Sequence, residues 1–301
     1  GELRMIIDYR YLNSLTEPVQ GPMPDLDHEV SKCQGAKFFM TFDLLKGLYQ
    51  IHLHEDSRHY FSFMTDRGVF TPTRIPQGAV DSPLYFHACI TEIFKDLIKE
   101  DKLLIWIDDG LLFAKTWEEF LDLVKRLLDK CIEYDLKLNI KKTCLVTSKA
   151  CWCGRDIDGD GWSLRTRNTD AFLRMSEPQT AGNLSQFIQG VNWMRDSLLN
   201  LGAKNSFAAH SSCLWELLEK VYGIAKSRKR RRFDSIRLID VGWEETQFKG
   251  LAAIRELLAN SVSRAYLIPG AKFCLFTDAS DYFYAALLTQ VVHWDDSKRV
   301  Q

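Results

Sequence analysis

The stretch Leu103–Ala114, LLIWIDDGLLFA, decides how this chain is read. Two apolar runs, LLIWI (103–107) and LLFA (111–114), flank Asp108-Asp109-Gly110. Short apolar runs broken by Asp and Gly predict two strands joined by a turn. Asp and Gly are common turn residues, so an ordinary solvated hairpin tip is one explanation. A second explanation starts from charge, because adjacent carboxylates between apolar strands repel unless something positive sits against them. Asp43 ends another apolar strand, AKFFMTFD (36–43), and precedes Asp108 by 65 residues. If both strands lie centrally in one sheet, Asp43 and Asp108 meet at the same end. Such a pair could hold two Mg²⁺ ions about 4 Å apart, one activating an attacking oxygen and one stabilising a leaving oxygen. Magnesium prefers one or two carboxylates plus substrate phosphate oxygens, and phosphoryl transfer is the chemistry this serves.

Outward from that stretch, strands and amphipathic helices alternate. YFSFMT (60–65) and VFTPTRIP (69–76) flank Asp66-Arg67-Gly68, a hairpin signal. Asp81-Ser82-Pro83 reads as a cap followed by proline at the first helical position. Phe86, Ile90, Ile93 and Leu97 then recur at helical spacing to about residue 99. Thr116 and Glu119 form a capping box for a helix whose Phe120, Val124, Leu127 and Cys131 share a face. The pattern predicts an α+β layer, an antiparallel sheet backed by helices. After about residue 165 the character changes. Helices are expected over 183–199, 213–226 and 244–261, with the basic run KSRKRRR at 226–232, and strand character returns at 271–290. His52 and His54, in IHLHEDSRHY, read as surface residues on one strand face.

The 301 residues carry a net charge of −1, with 46% hydrophobic and 26% charged residues, which fits a folded chain of two domains and part of a third. No apolar run reaches the ~20 residues of a membrane span. GELRMIIDYR has no apolar signal core and the chain does not open with Met, so it reads as an intracellular fragment of a longer polypeptide. Eight cysteines are too sparse for a disulfide scaffold, and Cys151-x-Cys153 with Cys144 lacks a second tight pair for zinc, so free buried thiols are expected. The pI near 6.7 is low for a duplex binder. Locally, however, six of the seven residues at 226–232 are basic, and Lys137, Lys141, Lys142 and Lys149 add more. The run reads as a solvated loop, a nuclear import signal or a contact to nucleic acid.

Taken in order, the motifs resemble the reverse transcriptase region of a Gypsy-type long-terminal-repeat retrotransposon polyprotein. RMIIDYRYLN (4–13) is similar to its fingers motif and FDLLKGLYQI (42–51) to its first catalytic motif. RIPQGAVDSPLYF (74–86) resembles the nucleotide-binding turn and helix, and WIDD (106–109) the aromatic-x-Asp-Asp box. LKLNIKKTC (136–144) and WCGRDI (152–157) resemble the closing lysine motif and the primer grip. FIQGVNWMRDSL (187–198) resembles a thumb helix, GWEETQF (242–248) the connection, and FTDASD (276–281) the first strand of an RNase H domain.

The resemblance implies a right-hand polymerase with fingers, palm and thumb, the palm an antiparallel sheet backed by helices, followed by a truncated RNase H-like domain. Its boundaries would be 1–165 for incomplete fingers and palm, 166–240 for a thumb with the basic run, and 241–301 for the connection and the start of RNase H. It makes Asp43, Asp108 and Asp109 the catalytic residues and metal ligands, for two Mg²⁺ ions or Mn²⁺. Arg4, Gln77, Leu48, Tyr49 and Lys142 (or its neighbour Lys141) would bind the incoming nucleotide. Cys153 and Gly154 would grip the primer, and Asp278 would be an RNase H ligand without its partners, so no RNase H activity is expected. Leu48 stands where the family carries the Tyr or Phe that clashes with a ribose 2′-hydroxyl, and Trp106 replaces the usual Tyr or Phe before the Asp pair. The implied activity is RNA-directed DNA polymerisation, with a catalytically inactive nucleic-acid-binding remnant as the alternative. The implied partners are an RNA or DNA template with primer, deoxynucleoside triphosphates and other polyprotein segments, with no membrane. Cytoplasmic particles and the nucleus stay equally open as locations.

Overall fold

A computed structural model describes residues 6–19, 21, 25–198, 205–279, 281 and 284–292. The chain divides into two compact units, 1–160 and 161–301.

The first unit is built on an antiparallel sheet. Its helices are α1 (Arg10–Leu15), α2 (Leu26–Ser31), α3 (Glu55–Arg58), α4 (Ser82–Ile93), α5 (Lys95–Lys99) and α6 (Trp117–Glu133). Its strands are β1 (Phe38–Asp43), β2 (Phe63–Thr65), β3 (Gly68–Phe70), β4 (Leu103–Trp106), β5 (Asp109–Ala114), β6 (Cys144–Thr147), β7 (Ala150–Trp152) and β8 (Arg155–Ile157). The main sheet runs β4-β5-β1-β6, and each pairing is antiparallel. Successive side chains of a strand point to opposite faces. Met40 and Phe42 of β1, Leu112 and Ala114 of β5, and Leu103 and Ile105 of β4 therefore join Phe86, Ile90 and Phe94 from α4 and its end, and Phe120, Leu123 and Leu127 of α6, in one core. The same alternation puts Thr41 and Asp43 of β1, and Asp109 and Leu111 of β5, on the opposite face.

Local signals explain most boundaries. Thr116 Oγ1 accepts the Glu119 N–H at 3.3 Å, and Glu119 Oε2 accepts the Lys115 N–H at 3.0 Å, closing the start of α6. The helix expected to run to residue 99 breaks at Phe94 (φ −99°, ψ 16°), a fully buried side chain whose ring packs 6.3 Å from that of Phe42. Asp81 does not cap α4 through its side chain. Its Oδ1 instead accepts the Val19 N–H at 3.0 Å. The β2–β3 hairpin is shorter than the sequence suggests, with Thr65 paired to Gly68 across Asp66-Arg67. His52 and His54 do not share a strand: His52 forms an isolated bridge with Arg74, and His54 Nδ1 accepts the Asp56 N–H at the start of α3. None of the eight cysteines forms a disulfide, yet only Cys33 and Cys131 are buried, so the expectation of buried thiols holds for two.

The second unit contains β9 (Gly161–Leu164), α7 (Thr166–Leu173), α8 (Ala181–Trp193), α9 (Phe207–Ala225), α10 (Arg230–Phe233), α11 (Glu245–Ala259), β10 (Arg264–Ala265), β11 (Lys272–Ala279) and β12 (Tyr284–Val291). Leu184, Phe187, Ile188 and Val191 of α8, Leu214, Leu218 and Val221 of α9, and Leu251, Ile254 and Leu258 of α11 build its core. Thr180 and Asn183 cap α8 reciprocally, as Glu244 and Gln247 cap α11. The strands β11 and β12 pair antiparallel along their whole length.

Candidate active site

The turn that decided the sequence reading is tighter than expected. Trp106 pairs directly with Asp109, so the loop between β4 and β5 is Ile107-Asp108, and Asp109 and Gly110 lie inside β5. Ile107 has φ 58° while Asp108 has no positive φ, the pattern of a type II′ turn. Glycine is the usual residue there, and a β-branched side chain at positive φ is strained by about 1–3 kcal/mol. Gly110 is required by packing, since a Cβ at this position would sit 2.2 Å from the Phe42 ring.

Shifting the turn by one residue changes which carboxylates face each other. Asp109 is the cross-strand partner of Asp43. Asp108, at the turn, is tied to the end of β1 by its carbonyl, which accepts the Leu44 N–H at 3.2 Å. Burial, and then the charges of Asp108 and Asp43, push the Asp109 carboxyl above its ordinary pKa of 3.8.

Among the described residues, Lys142 answers this charge. Lys142 Nζ lies 2.8 Å from Asp43 Oδ2, and that hydrogen bond raises the ammonium pKa. The loop before β6 delivers it. Leu138 bridges to Leu44, Asn139 N–H donates to the Asp43 carbonyl at 2.8 Å, and Gln50 Oε1 accepts the Lys137 N–H at 2.7 Å. Asn139 Nδ2 reaches Asp43 Oδ1 at 3.4 Å. Of the two lysines left open by the sequence, Lys142 is the one at the carboxylate.

These groups line a cleft of about 190 Å³ formed by Thr41, Phe42, Asp43, Asp109, Gly110, Lys142, Cys151, Trp152 and Cys153. Cys153 and Gly154 are the two central residues of the β7–β8 turn, with φ 47° and 76°, a type I′ geometry. Burial, followed by the charge of Asp109, pushes the Cys153 thiol up to about 12, so it stays protonated. The indole N–H of Trp152 is buried with no hydrogen-bond partner among the described residues.

A second cavity of about 220 Å³ is lined by Ile7, Tyr9, Tyr49, Phe63, Pro72, Thr73, Arg74, Pro76 and Gln77. Leu48 does not line it and is partly buried against the core that contains Phe86, while Tyr49, 39% exposed, lines it. Asn13 holds the turn after Gln77 from both sides, donating to the Gly78 carbonyl at 2.9 Å and accepting the Val80 N–H at 3.0 Å. Arg4 lies outside the described residues. Asp278 sits on β11 opposite Ala285, with an exposed side chain. Asn13, Asn139 and Trp152 carried no sequence signal beyond lying inside quoted motifs.

Among the described residues, no three His, Cys, Asp or Glu side chains are gathered as a metal cage. The donor set at Asp43 and Asp109 nonetheless fits a hard divalent cation that draws its other ligands from substrate and water. Among the described residues its carboxylates outnumber the lysine beside them, and burial first, then the charges of Asp108 and Asp43, hold the Asp109 carboxyl above its ordinary value.

An antiparallel sheet with helices on one face and paired carboxylates on the other is the arrangement of a polymerase fold. The chain resembles foamy viral protease-reverse transcriptase in complex with dsDNA at a TM-score of 0.75 and 19% identity, over 95% of this chain and 55% of that one. Against the same protein in complex with an RNA/DNA hybrid the TM-score is 0.74 at 18% identity, over 95% and 38%. At such identities the likeness is one of fold. Residues 1–179 match the family described as reverse transcriptase (RNA-dependent DNA polymerase), and the chain belongs to that family. It is 28% identical over 298 residues to the transposon Tf2-3 and Tf2-7 polyproteins of Schizosaccharomyces pombe (strain 972 / ATCC 24843). That match takes in 98% of this chain and 20% of theirs, so the chain spans about a fifth of the length of these curated relatives. Among the described residues no helix is long and apolar enough to cross a membrane.

Proposed function

We propose that this chain carries out RNA-directed DNA synthesis as part of a Gypsy-type retrotransposon polyprotein. The observation that carries this reading is the register of Asp43 against Asp109, with Lys142 at 2.8 Å, on the sheet face opposite the helices. In the reaction the primer 3′-hydroxyl oxygen attacks the α-phosphorus of a deoxynucleoside triphosphate. The bond to the β-phosphate oxygen breaks, pyrophosphate leaves, and the hydroxyl proton passes to solvent. Asp43 and Asp109, with Asp108 beside them, would hold Mg²⁺ or Mn²⁺, which supplies charge stabilisation for the phosphates.

The chain's own residues orient the rest. Lys142 is 63% exposed, so its ammonium can turn from Asp43 toward an arriving triphosphate. Gln77, Arg74 and Tyr49 offer an amide, a guanidinium and a ring to a nucleotide, and Asn13 keeps the Gln77 turn in place. Arg4 would add a fork for phosphate oxygens. Cys153 and Gly154, at the turn facing Asp109, would meet the primer end.

On this reading residues 1–165 are fingers and palm, 166–240 thumb, and 241–301 connection and the start of an RNase H-like domain in which Asp278 would be the first ligand. The partners would be an RNA or DNA template with primer, deoxynucleotides and other polyprotein segments, in a cytoplasmic particle or the nucleus. An inactive remnant is not favoured, because Asp43, Asp108 and Asp109 are all present and converge with a lysine. The test is extension of a DNA primer on an RNA template with Mg²⁺, using this chain and its Asp108→Asn variant. Extension that disappears in the variant while template binding persists supports the proposal, and extension that survives it sinks the assignment.

A further inference from the structure

The geometry points to a second nucleic-acid contact, in which the basic run at 226–232 grips the phosphate backbone of a duplex from a fixed platform beside α8. The inference deepens the reading above and concerns residues separate from the carboxylate cleft.

The run is folded rather than loose. Lys226 closes α9 in a left-handed conformation (φ 49°). Arg228 pairs with Glu219 at 2.8 Å and lies 5.3 Å from the Tyr222 ring centroid. Phe233, at the end of α10, is 2% exposed and meets Tyr222 edge-on at 5.0 Å. The chain beyond it is pinned to the start of α8: Ala181 N–H donates to the Ile236 carbonyl at 2.8 Å, Gly182 N–H to the Asp234 carbonyl at 3.3 Å, and Thr180 bridges to Arg237. Both flanks are therefore fixed.

On this platform charge is left over. Arg228 and Arg230 have carboxylate partners, Glu219 and Asp234. Lys226, Lys229, Arg231 and Arg232 are exposed and form no ion pair among the described residues. Four neighbouring like charges held rigid cost electrostatic energy in the free protein, a cost that a row of phosphates removes. An import receptor that reads a linear basic peptide needs it extended, whereas here Arg230–Phe233 is helical with its aromatic end buried. The surface next to the run also suits nucleic acid. Arg230 Nη2 reaches Gln186 Oε1 of α8 at 3.4 Å, and α8 exposes Gln186, Gln189 and Trp193, amides and an aromatic of the kind that contact sugar and phosphate.

The test is the salt dependence of duplex binding by the full chain, read by anisotropy of a labelled primer–template. The variant replaces Lys229, Arg231 and Arg232 by Gln, and a control replaces Lys125, Arg126 and Lys130 of α6. Losing three phosphate contacts should flatten the slope of log K against log salt by about 2–3 and weaken binding roughly a hundredfold at 0.1 M salt. The control should leave the slope unchanged. An unchanged slope in the run variant overturns the proposal, as does equal flattening in both variants, which would be a general charge effect. A run variant that keeps its slope but no longer accumulates in the nucleus as a reporter fusion overturns it in favour of an import signal. The slope is measured on binding, so it stays readable in an Asp108→Asn background and if the chain does not polymerise.

Discussion

Asp43 of β1 stands directly across the antiparallel ladder from Asp109 of β5, which sets two carboxylates against each other at the end of the two central strands of the sheet. Like charges at facing positions destabilise a sheet by some tenths of a kcal/mol to about 1 kcal/mol. The fold therefore carries a penalty at the residues proposed to be catalytic. Asp109→Asn removes it while keeping shape. The expected outcome is a melting temperature a few degrees higher at pH 7.5 without divalent cations, together with loss of primer extension. A lower melting temperature in calorimetry would contradict the electrostatic account.

Lys142 rather than Lys141 meets Asp43. Because Lys142 is largely exposed, its ion pair adds no more than about 1 kcal/mol to stability. Lys142→Met should leave the melting temperature within about two degrees and slow single-turnover extension at least tenfold, an effect of about 1.4 kcal/mol on the barrier. Lys141→Met should do neither.

Asn13 makes two hydrogen bonds to the backbone around Gly78. Both are near the surface, so Asn13→Ala should cost about 1–2 kcal/mol in urea unfolding. If the turn positions Gln77 for a nucleotide, the KM for deoxynucleotides rises more than kcat falls. A change in kcat alone would detach Asn13 from nucleotide positioning.

Leu48 stands where the resemblance implies a bulky aromatic and is partly buried against the core that contains Phe86. Discrimination between deoxy- and ribonucleotides should accordingly be weak, and Leu48→Tyr should increase it. The ratio of kcat/KM for matched dNTP and rNTP reads this directly, and strong preference for deoxynucleotides in the unaltered chain would count against it.

His87 of α4 is half-buried, and burial lowers its pKa below the ordinary 6.5. Its Nδ1 is buried without a partner among the described residues. A depressed folded-state pKa means that the folded chain resists protonation. The stability tied to neutral His87 is therefore complete above about 6.5 and is lost as pH falls through the lower, folded value. His87→Leu should flatten the fall in urea midpoint between pH 7.5 and 5, and an unaltered slope would clear His87 of the effect.

What the sequence determined by itself was local. The two apolar strands around an acidic turn, the strand that ends at Asp43, the Thr116–Glu119 start of α6 and the spacing of Phe120, Leu127 and Cys131 are written in neighbouring residues, and they form as expected apart from the one-residue shift of the turn. The ordered motifs carried the family. Only tertiary structure decided that Asp109, not Asp108, lies opposite Asp43, that Lys142 reaches the pair, that Tyr49 lines the second cavity while Leu48 packs against the core, and that Asn13 clamps the Gln77 turn. Each of these depends on register or packing between segments far apart in the chain. A shift of one residue in pairing sends every side chain of a strand to the other face, and no short-range pattern records that choice.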